Sequence, residues 1–235
     1  MPFFDRRRYT LSYIIYSLYH KLIDASPISI AARGEYIRLT LAQLGLEYED
    51  LPITKDEMKS NLQLFMCGQC PRFVDEDVDM VQSNSILRHL GRKYNMTGAD
   101  LKEQAYIDMI LDTVEALRPK FMPFIYMGTT EEAKAEFWEK HVDPANANGS
   151  TGGAHFAYVE SMLNKVSKDG PFVLGAKPTI ADMAIFDVVN ALIEGGLGFE
   201  EKFPPLYPKL MAHNAAVAAL PNVAAYLASD RRPKK

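Results

Sequence analysis

Disulfide bonding has little to work with in this chain. Its 235 residues include two cysteines, which excludes a cross-linked scaffold and suits a reducing compartment such as the cytosol. An excess of positive charge is missing too. With 26 Lys and Arg against 30 Asp and Glu, the net charge is −4, so the basic face that nucleic acid requires is absent. The basic Arg231-Arg232-Pro233-Lys234-Lys235 reads as a solvated tail. The five histidines share no metal-ligand spacing, and Cys67 and Cys70 have no second cysteine pair with which to build a zinc site. Long hydrophobic runs are also lacking. Leu11 to Tyr19, preceded by Arg6-Arg7-Arg8, has the outline of a secretory signal, but serines and tyrosines dilute it and Ser26-Pro27 makes a poor cleavage site. The run falls well short of the roughly 20 apolar residues of a membrane span. These absences leave a soluble globular chain that is 48% hydrophobic, with core enough for one large domain or two small ones.

The most informative segment is Gly68-Gln69-Cys70-Pro71-Arg72-Phe73, followed by Met80-Val81-Gln82-Ser83-Asn84-Ser85-Ile86-Leu87-Arg88-His89-Leu90. It reads as a turn into proline, a strand, an acidic turn at Asp75-Glu76-Asp77, a second strand and a helix opening on Gln82-Ser83. A helix N-terminus presents unpaired N–H groups and partial positive charge, which suits a carboxylate. The extended backbone that Pro71 imposes on Cys70 leaves the Cys70 N–H and C=O free to pair with an extended peptide. Two peptide-recognition devices thus lie close together on one supersecondary unit.

Around this segment the chain divides in two. Tyr9 to Ile15 is rich in β-formers and reads as a first strand. Arg33 to Leu44 is helical, with Gly45 just past its end, and Glu49 to Ile53 is a second strand. Residues 54–67 read as a loop with a short helix, and the helix opening at Gln82 runs to about Tyr94. Strand–helix–strand followed by strand–strand–helix is a small α/β unit of thioredoxin type, spanning 1–95. Asn95-Met96-Thr97-Gly98 is a linker, and 100–235 is all-helical. Ile107, Ile110, Leu111, Val114, Leu117 and Phe121 keep helical spacing until Pro119 and Pro123 bend or end the helix. Residues 144–153 read as a flexible surface loop. Thr179-Ile180-Ala181-Asp182 has the form of a capping box, and a last helix from about Lys209 to Leu227 is interrupted near Pro221.

In these motifs the chain resembles the cytosolic glutathione transferases, closest to the tyrosine-type, pi-like and sigma-like classes. The residues that carry the likeness are Gln69-Cys70-Pro71, Gln82 to Arg92, Leu117 to Tyr126 and Thr179 to Asp182. The resemblance implies a thioredoxin-like domain joined to an all-α domain, a cytoplasmic homodimer, and glutathione as co-substrate for attack on a small hydrophobic electrophile, with no metal and no membrane or nucleic-acid partner. Carried onto this sequence, it puts the catalytic hydroxyl on Tyr13, supported by Arg33. Cys70 would offer backbone hydrogen bonds beside a cis Pro71. Gln82 and Ser83 would hold the γ-glutamyl group with help from Gln69, and Lys59 would face the glycyl carboxylate. Met122 and Tyr126, with Phe124 or Ile125 nearby, would form the electrophile wall. Arg88 and Arg92 would lie at the dimer interface.

The sequence departs from that pattern in two places. Arg33 comes 20 positions after Tyr13, farther than the resemblance implies, so an insert lies within Ile14 to Ile30. It is either a lid or translated intron sequence, and Tyr16, Tyr19 and Ser26 compete with Tyr13 if it displaces the strand. The acidic residue that the family sends to the partner subunit's glutathione matches Ala116, with Glu115 and Asp112 as near substitutes. Alternative readings are a catalytically silent glutathione-binding or structural protein of the same fold, or a glutathione-dependent isomerase or peroxidase. Cys67-Gly68-Gln69-Cys70 also invites a redox reading, but it precedes the hairpin proline instead of opening the first helix. Near a capping box, Asp182 and Asp187 read as helix-structure residues.

Overall fold

The computed structural model describes residues 9–14, 33–121, 124 and 130–232. The chain opens with β1 (Tyr9–Ile14), α1 (Glu35–Gln43) and β2 (Tyr48–Ile53), then α2 (Lys55–Ser60), β3 (Arg72–Val74), β4 (Asp79–Val81) and α3 (Ser83–Lys93). The sheet order is β2-β1-β3-β4. β1 runs parallel to β2, as a strand–helix–strand crossover requires, and antiparallel to β3; β3 and β4 form a hairpin. Asp75 closes that hairpin by accepting from the N–H groups of Asp77 and Val78 at 2.9 and 3.0 Å.

Two helix ends show why the chain stops where it does. After α1, Gly45 takes φ +66°, and the Gly45 and Leu46 N–H groups bond back to the Ala42 and Leu41 carbonyls. After α3, Asn95 adopts φ 58° and the Met96 N–H bonds back to the Gly91 carbonyl. The Met96 carbonyl then accepts from Ile180 N–H at 3.1 Å, so the linker is stitched to the helical half.

That half comprises α4 (Leu101–Leu117), α5 (Glu131–Phe137), α6 (Phe156–Val166), α7 (Ile180–Ile193), α8 (Pro208–Ala218) and α9 (Pro221–Leu227). Pro119 falls in a 3-10 turn over Arg118–Phe121 that ends α4, while Pro221 divides the expected last helix into α8 and α9. Residues 144–153 are more ordered than a plain loop. Pro144–Asn146 forms a 3-10 turn capped by Asp143, and Gly149 N–H donates to the Tyr158 hydroxyl at 2.7 Å. α7 is largely apolar and buried along nearly its whole length, as that composition demands.

One core runs through both halves. Leu11 and Phe73 of the sheet, Ile37 of α1, and Ile86 and Leu90 of α3 join Ile107 to Leu117 of α4 and Ile180 to Leu192 of α7. A second cluster seats Leu39 of α1 against Met183 and Phe186 of α7 and Val223 and Tyr226 of α9. The C-terminal turn fastens over the same region. Arg231 lies 4.1 Å from the Tyr48 ring centroid and donates to the Tyr48 carbonyl at 2.7 Å, while Arg232 bridges Glu194 at 2.8 Å and Glu35 at 3.5 Å.

Candidate functional site

The sheet registers bring three of the expected site positions into one row. β1 pairs Ser12 with Arg72 on β3, and β3 pairs Arg72 with Val81 on β4. Continued by one residue, these registers set Tyr13, Pro71 and Gln82 side by side across roughly 10 Å at strand spacing. The row lies at the carboxyl ends of β1 and β2, where open α/β sheets place their ligands. Tyr13 itself is opposite Pro52 on β2.

Each position in the row carries a backbone feature. The Cys70–Pro71 peptide bond is cis. Gln82 holds φ 75° and ψ 104°, a conformation that costs a non-glycine residue about 1–3 kcal/mol and persists only where its surroundings enforce it. Gln82 also serves as the N-cap of α3 without a side-chain cap, so the first-turn N–H groups have no such acceptor. Ser83 follows, buried at 4% exposure at the helix start. Gln69 is exposed and Cys70 half-buried. Burial pushes the Cys70 thiol up to about 11, which leaves it protonated at neutral pH and a poor nucleophile. What this position offers a ligand is its backbone. Lys59, in the last turn of the short α2, is exposed.

Arg33 lies just ahead of α1 and donates to Glu115 of α4. Glu115 therefore engages an arginine of its own chain, and Asp112 likewise accepts from Arg88 at 2.6 Å, alongside Asp108. Asp187, expected only to serve its helix, forms a 2.7 Å ion pair with Arg118. Burial raises the Asp187 carboxyl against the pull of that guanidinium. A buried aspartate on a largely apolar helix needs a cation, and Arg118 supplies one from where α4 ends. Met122, Ile125 and Tyr126 lie outside the described residues, as do Tyr16, Tyr19 and Ser26 and nearly all of the insert. Phe124 is buried in the core.

Two other groupings have structural explanations. Asp75, Asp77 and His89 place ligand atoms within 4.8 Å of one another. The Lys93 ammonium already sits among them, 3.1 Å from Asp75 and 2.5 Å from Asp77. Against the effect of burial, hydrogen bonds from His89, the Asp77 N–H, Lys93 and the Val78 N–H hold the Asp75 carboxyl down to about 2. Asp182 is the hub of the α7 cap. Oδ2 accepts from the Thr179 N–H and hydroxyl, both at 2.6 Å, and Oδ1 accepts from Val173 N–H at 2.8 Å.

Both parts of the chain have counterparts among known proteins. Residues 29–92 match the glutathione S-transferase N-terminal domain and residues 115–230 the C-terminal domain. Glutathione S-transferase P 1 of Xenopus laevis is 32% identical over 213 residues, which is 88% of this chain and 92% of the relative. Glutathione S-transferase 2 of Onchocerca volvulus is 35% identical over 162 residues, covering 69% and 73% of the two chains. The solved pi-class glutathione S-transferase of Onchocerca volvulus superposes with a TM-score of 0.70 at 29% identity, over 93% of this chain and 91% of that one. With both domains matched and a relative above 30% identity along nearly its whole length, the chain belongs to the glutathione S-transferase family.

Proposed function

We propose that this glutathione transferase activates the glutathione thiol for attack on small hydrophobic electrophiles, working as a cytoplasmic homodimer without a metal. Tyr13 donates a hydrogen bond to the sulfur and Arg33 supports it. Cys70 pairs with the cysteinyl backbone beside Pro71. Gln82 and Ser83 take the γ-glutamyl carboxylate with help from Gln69, and Lys59 faces the glycyl carboxylate. Met122 and Tyr126 line the electrophile pocket. Residues 1–95 act as the glutathione-binding domain and 100–235 as the substrate and dimer domain.

The observation that carries this reading is the paired row Ser12–Arg72–Val81, one residue beyond which Tyr13, Pro71 and Gln82 follow, with Ser83 buried at a helix start that has no side-chain cap. An extended tripeptide laid along that row meets a strand-edge backbone at its middle and a positive helix end at one terminus. The chemistry required is modest. A free thiol near pKa 8.5 is mostly protonated at neutral pH, and lowering it by about two units corresponds to about 2.7 kcal/mol. One charge-assisted hydrogen bond and a nearby guanidinium supply energy of that order.

The test is conjugation of glutathione to a chromogenic electrophile, alongside calorimetric binding of glutathione. Tyr13→Phe slows conjugation at least tenfold and leaves binding nearly intact, since it removes a bond to the thiolate only. Because Tyr13 and Arg33 stand 20 positions apart, the same experiment judges the silent-scaffold reading. In that case both proteins bind glutathione and neither conjugates it.

A further inference from the structure

Beyond the positions assigned above, a chain of polar groups, part of it buried, lies where α1, the start of α3, the end of α4 and α7 meet. Tyr36 on α1 is fully buried, yet its hydroxyl donates to Asn84 Oδ1 at 3.2 Å, one residue past the buried Ser83. Its ring is covered by Arg118, whose guanidinium carbon lies 3.9 Å from the ring centroid. Arg118 reaches Asp187 Oδ2 at 2.7 Å and Glu115 Oε2 at 3.9 Å. The other Glu115 oxygen accepts from Arg33.

A buried guanidinium is tolerated only with a carboxylate and further contacts, and a buried tyrosine hydroxyl needs a partner. Here the groups nearest the guanidinium and the hydroxyl also adjoin the candidate site. One branch ends on Asn84, beside Ser83 in the first turn of α3; the other ends on Arg33. Asp187 anchors both from the central helix. Arginine suits this place because its planar fork pairs with carboxylates while its face stacks on an aromatic ring, which a lysine ammonium does not reproduce.

We propose that Arg118, seated on Tyr36 and anchored by Asp187, is a positioning residue that sets the carboxylate end and the thiol end of the glutathione site together. It touches neither glutathione nor electrophile, and the inference rests on the functional reading given above. It predicts a division of labour between two variants. Tyr36→Phe keeps the ring under Arg118 but removes the hydroxyl that holds Asn84 beside Ser83. It raises KM for glutathione about threefold to tenfold while kcat at saturating glutathione and the ionisation of the bound thiol are unchanged. Arg118→Lys keeps the charge but loses the fork and the stack. It raises KM at least as much and also moves the ionisation of bound glutathione to higher pH, because Arg33 loses its alignment through Glu115.

Thiolate absorbance of bound glutathione against pH, together with steady-state kinetics on protein shown to be folded by its thermal transition, reads both effects. A role in folding alone would lower the transition temperature while leaving KM and the thiolate titration where they were, and that result overturns the proposal. If Arg118→Lys does not fold, Tyr36→Phe decides: an unchanged KM for glutathione overturns it. Wild-type protein that binds no glutathione in calorimetry would instead sink the functional reading itself, so the two failures are distinguishable.

Discussion

His213 Nε2 on α8 lies 2.7 Å from Asp182 Oδ1 on α7, with the two side chains 3% and 0% exposed. Since the carboxylate only accepts, Nε2 carries the proton. This contact adds a fourth donor to the cap of α7, which is buried along nearly its whole length. Asp182→Ala strands the Val173 and Thr179 N–H groups as well as the imidazole, so we expect a loss of about 3–5 kcal/mol in urea unfolding. His213→Ala leaves the cap intact and costs less, about 1–3 kcal/mol. Equal losses for the two variants would show that the imidazole, and not the cap, is the main support.

Stability falls as the pH rises past Glu35. Burial, and then the charge of Asp187, lift this carboxyl from 4.5 to about 7, against the pull of Arg38, the Tyr226 hydroxyl at 2.9 Å and Arg232. The folded state therefore holds a proton that the unfolded state releases. Its stabilising effect is complete below about pH 4.5 and fades as the pH climbs through 7, by on the order of 3 kcal/mol. Glu35→Gln flattens this slope. Urea midpoints for both proteins at pH 5 and 7.5 check it, and a constant gap between them at the two pH values would contradict it.

Ser83→Ala tests the carboxylate end. A hydrogen bond to a charged group contributes about 1.5–3 kcal/mol, so the Kd for glutathione measured by calorimetry should rise about 10-fold to 100-fold. An unaltered Kd would move the carboxylate to another part of the molecule.

Gly91 sits inside α3, where alanine would ordinarily be favoured by about 1 kcal/mol. A Cβ there would approach Thr97 Cγ2 to 2.7 Å and Ile180 Cδ1 to 2.8 Å. Both neighbours are β-branched and stiff, and Ile180 is fully buried. Gly91→Ala should destabilise by about 1–3 kcal/mol in denaturant unfolding, since overpacking outweighs propensity. A more stable variant would show that the linker and α7 yield easily.

Much of the fold was legible in the sequence because local rules govern it. Gly45 ends α1, Pro71 precedes β3, Thr179 and Asp182 cap α7, and Pro221 breaks the last helix. The paired positions were harder to read. Nothing near Asp187 in sequence announces Arg118, and nothing near Tyr36 announces Asn84, because these contacts join elements remote along the chain. The pairing of Glu115 with Arg33 was hidden for the same reason. At the candidate site, Gln82 and Ser83 were readable as a helix start. The strained backbone of Gln82 was not, because glutamine carries no preference for positive φ.

The Arg231 contact with the Tyr48 carbonyl joins residues 183 positions apart. Such a contact has almost no chance of forming before both layers exist, because closing so long a loop is entropically unfavourable until other contacts hold its ends together. This clasp is therefore a late event in assembly. Protease susceptibility just beyond α9 would report whether a newly made molecule has finished folding.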